Sequence, residues 1–75
     1  MNNFFKNKII LITGGTGSFG NAMTTKLLKM LPKEIRIFSR DEKKQDDMRK
    51  NFNNKKIKFI LGDIRDKKSI EHAVI

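Results

Sequence analysis

Short apolar runs alternate with longer segments of mixed polarity along this chain. Three runs have the length and the aliphatic or aromatic content of buried strands, at residues 8–12, 35–38 and 57–61. The segments that follow them carry apolar residues at helical spacing. The pattern therefore predicts the order strand–helix–strand–helix–strand–helix, with the last helix cut short. Such alternation is typical of an α/β fold built on a parallel sheet.

The ends of the helices are marked by a proline and by two capping aspartates. The first helix is predicted over residues 19–31, because Pro32 cannot continue it. Its expected buried face has about one residue per turn: Phe19, Met23, Leu27 and Met30. The second helix is predicted over residues 41–51 with Asp41 as N-cap, and Asp66 is the expected N-cap of the third. The expected apolar face of the third helix contains Ile70, Ala73 and Val74.

A glycine-rich turn follows the first apolar run. Gly15, Gly17 and Gly20 have the G-x-G-x-x-G spacing, between a predicted strand and a predicted helix. In a dinucleotide site these glycines permit the tight turn, the approach of a pyrophosphate and the packing of helix on strand. The phosphates then lie at the helix N-terminus, where free N–H groups favour negative charge. The alternative is an ordinary flexible loop. A P-loop is excluded, because Asn21 and Ala22 stand where it needs Lys and Ser or Thr.

The predicted topology indicates an incomplete domain. Right-handed crossovers place the three strands in the spatial order 3-2-1, with the first two helices on one face. The first strand then forms an exposed apolar edge, which natural proteins avoid. The ligand crevice of such a sheet lies beside a fourth strand, and the 75 residues contain none. We therefore expect residues 1–75 to be the N-terminal part of a larger dinucleotide-binding domain, a partial Rossmann fold.

The end of the second predicted strand favours NADP over NAD. In NAD sites an acidic residue about 20 positions after the glycines binds the ribose hydroxyls. Ser39 and Arg40 stand there instead, and a hydroxyl with a guanidinium suits a 2′-phosphate. The alternative is that Arg40 is merely solvated and that Asp41 reaches the ribose, although Asp41 is equally well explained as a helix cap. Asp63, after the third strand, is either a turn residue or an acceptor for the adenine amino group.

Composition narrows the class of partner. The net charge is +9, from 17 Lys and Arg against 8 Asp and Glu, which suits nucleic acid, an anionic membrane face or an anionic small ligand. The lysines are scattered along the sequence without an aromatic stacking platform, so we expect neither nucleic acid nor a membrane as partner. The absence of Cys excludes disulfides and thiolate metal sites, and we expect no metal. No apolar stretch has the length of a membrane span or of a signal peptide, so the expected compartment is the cytoplasm.

Three short sequence motifs give a closer resemblance to a known family. They are TGGTGSFG at residues 13–20, SRDEKKQ at residues 39–45 and GDIRD at residues 62–66. In this order and at these separations the chain resembles the extended short-chain dehydrogenase/reductase superfamily. Within it, the chain is similar to the N-terminal part of UDP-N-acetylglucosamine 4,6-dehydratases, which act in surface polysaccharide and glycan biosynthesis. The resemblance covers almost the whole chain from Lys8 onward.

The resemblance implies a bound NADP that is reduced and reoxidised within one turnover. The C4 hydroxyl of the sugar is oxidised, water leaves across C5 and C6, and hydride returns at C6. Ten residues are implied in cofactor binding: Gly14, Thr16, Gly17, Ser18, Phe19, Gly20, Ser39, Arg40, Asp63 and Ile64. A nucleotide-sugar substrate and a homo-oligomer are expected only for a longer chain.

The catalytic residues of this family are expected downstream. They comprise a Tyr-x-x-x-Lys pair and an acid–base carboxylate, and this chain contains no Tyr. No catalytic residue is therefore assigned, and His72 is interpreted as a surface residue because no nucleophile or orienting partner accompanies it. The competing hypothesis is a non-catalytic truncated remnant with weak or no cofactor binding.

Overall fold

The structure, a computed structural model, describes residues 4–75, which form three strands and three helices in strict alternation. The strands are β1 (Ile9–Thr13), β2 (Glu34–Ser39) and β3 (Ile57–Leu61). The helices are α1 (Ser18–Leu28), α2 (Glu42–Phe52) and α3 (Lys67–Val74). The predicted α/β order is confirmed, and in the described part of the chain no helix is long and apolar enough to cross a bilayer.

The sheet is parallel, and its strand order is the predicted one. β2 lies in the centre, paired with β1 on one side and β3 on the other. The register places Ile35 between Ile10 and Ile57, and these apolar side chains lie side by side. β1 is an edge of the sheet, and Ile9 at its start is exposed.

The main core lies on the face of the sheet that α1 and α2 cover. Ile35 and Ile37 of β2 are fully buried there. Leu27 from α1 and Met48 from α2 complete this cluster together with Ile57. The predicted placement of the first two helices on one face is therefore confirmed.

α3 covers the opposite face of the sheet. A charged residue of the central strand bonds to this helix. Side chains alternate along a strand, so Arg36 and Phe38 point away from the main core. The Arg36 Nη1 donates to the Ala73 carbonyl of α3 at 2.8 Å, and its Nε donates to the Glu34 carboxylate. These partners satisfy a half-buried guanidinium that would otherwise be costly in the middle of a sheet.

The first helix is shorter than predicted, and its buried face differs from the predicted one at both ends. α1 ends at Leu28 because Leu31, before Pro32, has a φ of 55° and lies outside the helical region. Phe19 is 74% exposed and Met30 is 38% exposed, so the prediction that they are buried is wrong. Leu27 is buried as predicted, and Met23 is half-buried against the core. Gly20 and Thr24 are buried as well, and the glycine allows the helix to approach the preceding turn closely.

Both capping predictions are confirmed. The Asp41 Oδ1 accepts from the Lys44 backbone N–H at 3.0 Å, and the Asp66 Oδ1 accepts from the Lys68 backbone N–H at 3.1 Å. In α3, Ala73 is fully buried and Ile70 is half-buried, but Val74 is exposed, so its predicted place on the apolar face is wrong. Val74 is the last residue of α3, one position past the buried stripe.

Candidate functional site

The glycine turn connects the carboxyl end of β1 to the first turn of α1. Gly14 has a φ of +63°, a left-handed conformation that favours glycine, and its N–H donates to the Phe38 carbonyl at 2.8 Å. Gly20 lies directly against the turn, since a Cβ at this position would overlap the backbone of Gly15. The turn and the helix are therefore packed backbone to backbone.

The first turn of α1 is left open to an anion. Its N-cap is Gly17, and no side chain caps it, whereas α2 and α3 are capped by aspartates. The Asn21 Nδ2 donates to the Thr16 and Gly17 carbonyls at 3.2 and 2.9 Å, and these bonds hold the turn in place. A Cβ at Gly17 would meet nothing within 4 Å, so the space above it is free. Uncapped amides with the positive end of the helix dipole are suited to a phosphate.

The carboxyl ends of the three strands line an open pocket of ≈ 420 Å³ next to this turn. Half of the ten predicted cofactor residues line it: Gly14, Ser39, Arg40, Asp63 and Ile64. Thr16 lines a neighbouring pocket of ≈ 480 Å³ that Ser39 and Arg40 also border. Arg40 therefore lies between the two. The other four predicted residues, Gly17, Ser18, Phe19 and Gly20, lie at the start of α1 and not in the lining of these two pockets.

Asp63 is held by two arginines at this edge. Arg65 donates to both of its carboxylate oxygens, from Nε at 3.1 Å and from Nη2 at 2.8 Å, and its backbone N–H donates to Oδ1 at 2.9 Å. The Arg40 Nη1 is 3.6 Å from Oδ2. The side-chain hydrogen bond from Arg65, followed by the backbone hydrogen bond, holds the pKa of the Asp63 carboxyl well below its usual range.

The lowered pKa has a direct consequence for pH dependence. The stabilisation from this carboxylate is present above its unfolded pKa and is lost only as the pH falls through the lower folded pKa. The contacts with Arg65 and the bond from the Asp66 N–H to the Asp63 carbonyl at 2.9 Å are those of a turn residue. The turn role of Asp63 is thus present in the structure, and its adenine role stays a prediction.

Gln45 holds the strand ends beside the pocket in place, a role that the sequence did not predict. Its side chain is buried in α2, and its Nε2 donates to the Ser39 Oγ at 2.9 Å and to the Ile60 carbonyl at 3.0 Å. It therefore joins α2 to the ends of β2 and β3. Its spacing does indicate burial, because Gln45 stands three positions before Met48 and seven before Phe52, on the same helical stripe.

Replacing Gln45 with methionine is expected to destabilise the chain by about 1–3 kcal/mol. The volume is nearly kept, but the Ser39 hydroxyl and the Ile60 carbonyl lose a donor. Urea unfolding followed by circular dichroism measures the change. Asn51→Met is the matched control, because Asn51 is exposed on the same helix and should change stability by less than about 0.5 kcal/mol. Equal effects of the two substitutions would contradict the supporting role.

Residues 10–75 match the family described as polysaccharide biosynthesis protein. The chain belongs to this family. It is 58% identical over 74 residues to the UDP-glucose 4-epimerase of Rickettsia rickettsii, covering 93% of this chain and 22% of that protein. Pen from Bacillus thuringiensis has a similar structure, with a TM-score of 0.90 and 39% identity over 95% of this chain and 22% of that one. This member of the polysaccharide biosynthesis family thus spans about a fifth of the length of these relatives.

A more distant likeness concerns the fold alone. The C-domain of bacterial malonyl-CoA reductase, solved with NADP, superimposes with a TM-score of 0.69 and 19% identity over 96% of this chain and 13% of that one. The predicted resemblance is confirmed at the level of the family and of the Rossmann-like fold. The chain is thus similar to a segment of epimerase-type relatives.

Proposed function

We propose that this chain is the NADP-binding N-terminal segment of a sugar-nucleotide 4,6-dehydratase in surface polysaccharide or glycan biosynthesis. The observation that carries the proposal is the position of Arg40. It lies at the carboxyl end of β2, between the strand-end pocket and the pocket beside Thr16. A guanidinium there, close to the uncapped start of α1, suits a nucleotide with a phosphate on its ribose.

The ion pairs around Arg40 leave it available for a phosphate. Its partner Asp63 is already held by two side-chain bonds and one backbone bond from Arg65, while Arg40 approaches only to 3.6 Å. Arg40 can therefore turn toward an anion without leaving a carboxylate unpaired. Asp41, the alternative ribose ligand, uses one oxygen to cap α2, which favours its structural role.

Ser39 and the first turn of α1 complete the proposed binding site for the phosphates. The Ser39 Oγ accepts from Gln45, so its own hydrogen remains free to donate to a phosphate oxygen. The amides that follow Gly17 would hold the diphosphate. When bound, the nicotinamide supplies the hydride acceptor and donor for the sugar carbon. The nucleotide-sugar site, the catalytic residues and a homo-oligomeric assembly belong to the proposal for the longer protein.

A second candidate function is 4-epimerisation of a UDP-hexose. It is favoured by the similarity to the Rickettsia protein named UDP-glucose 4-epimerase. Inverting a C4 hydroxyl through a ketone needs a nicotinamide cofactor in the same place, so the described residues serve either reaction. In a full-length protein that carries this segment, mass spectrometry of the UDP-sugar product separates the two. Loss of one water indicates the dehydratase, and an unchanged mass with an inverted centre indicates the epimerase.

NADPH is expected to raise the melting temperature of the 75-residue chain. At a concentration of about 100 times Kd, a ligand that binds only the folded state stabilises it by about 2.7 kcal/mol. For a domain of this size this corresponds to a shift of about 10 °C or more. NADH at the same concentration is the control and should give a smaller shift. A melt unaffected by either nucleotide would favour the truncated remnant.

A further inference from the structure

Six of the thirteen lysines, which look scattered in the sequence, lie at one end of the fold. The Lys33 N–H donates to the Lys8 carbonyl at 2.9 Å, and the Ile35 N–H donates to the Lys56 carbonyl at 2.8 Å. Lys8, Lys33 and Lys56 therefore stand side by side where β1, β2 and β3 begin. Together with their neighbours in sequence they form what we call the basic end, all of it exposed: Lys6, Lys8, Lys29, Lys33, Lys55 and Lys56.

Few carboxylates balance this end. In the segments that enter the strands, residues 4–8, 29–34 and 53–56, the acidic residue is Glu34, and Arg36 already pairs with it. Four of the other acidic residues follow the strands at the opposite edge: Asp41, Glu42, Asp63 and Asp66. The opposite edge also carries cations, namely Arg40, Lys43, Lys44, Arg65, Lys67 and Lys68, so the excess of cations over carboxylates is larger at the basic end. The candidate nucleotide pocket lies at the far edge from it.

Apolar side chains project from the same basic end. Leu31 is 57% exposed and follows Met30, which is also exposed. The Leu31 carbonyl accepts from the Asn7 N–H at 3.0 Å, so this apolar tip lies beside Lys6 and Lys8. Phe4, in contact with Phe5 edge to face, is 65% exposed in the same segment. A branched residue at a φ of 55° is an uncommon strain, and such strain clusters at functional positions.

We propose that the basic end binds the surface of a bilayer that contains anionic phospholipids. Lysine ammonium groups pair with lipid phosphates, and apolar side chains among them enter the boundary between headgroups and acyl chains. A nucleic acid would satisfy the lysines but would leave the aliphatic side chains of Met30 and Leu31 in water. A second copy of the chain would bring lysine against lysine.

Binding through the basic end leaves the nucleotide site accessible. The pocket lies at the carboxyl ends of the strands, and the lysines lie at their amino ends, so the pocket faces away from the lipid. The proposal differs from the expectation of no membrane partner, because that expectation rested on the order of lysines along the sequence. It also does not depend on the proposed cofactor.

Co-sedimentation of the 75-residue chain with vesicles tests the proposal. Vesicles of phosphatidylcholine and phosphatidylglycerol should bind the chain, vesicles of phosphatidylcholine alone should bind it weakly, and added salt should weaken binding to the former. The double substitution Lys8→Gln/Lys33→Gln should lower the partition coefficient about 30-fold, from about fivefold per lysine. Leu31→Asn should lower it about tenfold, since it removes the apolar tip.

The variants are chosen so that folding does not confuse the result. Asparagine tolerates the left-handed conformation, so Leu31→Asn should keep the melting temperature or raise it. The matched control is Lys43→Gln/Lys44→Gln, which removes the same charge from the start of α2 and should retain most of the binding. Equal losses in the two double variants would overturn the proposal. So would equal binding to both vesicles, or binding to a DNA duplex without binding to anionic vesicles.

Discussion

A Gly20→Ala chain is expected to be largely unfolded. Its Cβ would overlap the backbone of Gly15, which cannot move without breaking the turn that follows β1. Forcing an atom into such a contact costs about 3 kcal/mol. A core of this size supplies about 3–5 kcal/mol in total, so little stability would remain. Circular dichroism and thermal melting measure the loss.

Gly17→Ala is the matched control and separates binding from folding. Gly17 has φ −82° and ψ −175°, which alanine adopts freely, and a Cβ there meets nothing within 4 Å. The melting temperature of the free chain should therefore be unchanged. The added methyl group would occupy the space over the first turn of α1, so NADPH affinity should fall about tenfold or more, the scale of a lost charge-assisted hydrogen bond. An unfolded Gly17→Ala chain, or one that binds NADPH normally, would contradict the assigned geometry.

The second large effect is expected at Arg40. Arg40→Gln removes the guanidinium proposed for the 2′-phosphate, and a hydrogen bond to a charged group contributes about 1.5–3 kcal/mol. The affinity for NADPH should fall about 30-fold, while the affinity for NADH should stay nearly constant. Titration calorimetry with both nucleotides measures the two changes. Local structure should persist, because Asp63 keeps its bonds with Arg65.

The outcomes of this substitution distinguish the two ribose hypotheses. An unchanged preference between the nucleotides would place the 2′-phosphate away from Arg40 and favour Asp41 at the ribose. An equal loss of affinity for NADPH and for NADH would indicate a general structural effect. Lys43→Gln serves as the charge control, since it removes one positive charge nearby on α2 without altering the strand end.

Local chemistry made much of this fold predictable. The third strand coincides with its apolar run, and Asp41 and Asp66 cap helices as their residue type predicts. The errors arise where tertiary packing decides. Gly20 packs against Gly15 in the first turn of α1, and Phe19 beside it faces outward although its spacing is that of a buried residue.

The candidate site was predictable in part, for the same reason. The glycine spacing and the residues after β2 point to the edge where the pocket lies. The pairing of Asp63 with Arg65 and the buried bonds of Gln45 depend on side-chain geometry that periodicity does not contain. The placement of six lysines at the basic end follows from the parallel topology, and the order of charges along the sequence does not reveal it.

β1 pairs with β2 and β2 pairs with β3, so strands that neighbour in the sheet also follow each other along the chain. Every long-range contact between strands is then closed by a single crossover, which keeps the loop-closure entropy small. The ribosome delivers β1, β2 and β3 in the order in which they join, and N-terminal units fold first during synthesis. The nascent polypeptide can thus build its sheet progressively, without waiting for distant sequence to emerge from the exit tunnel.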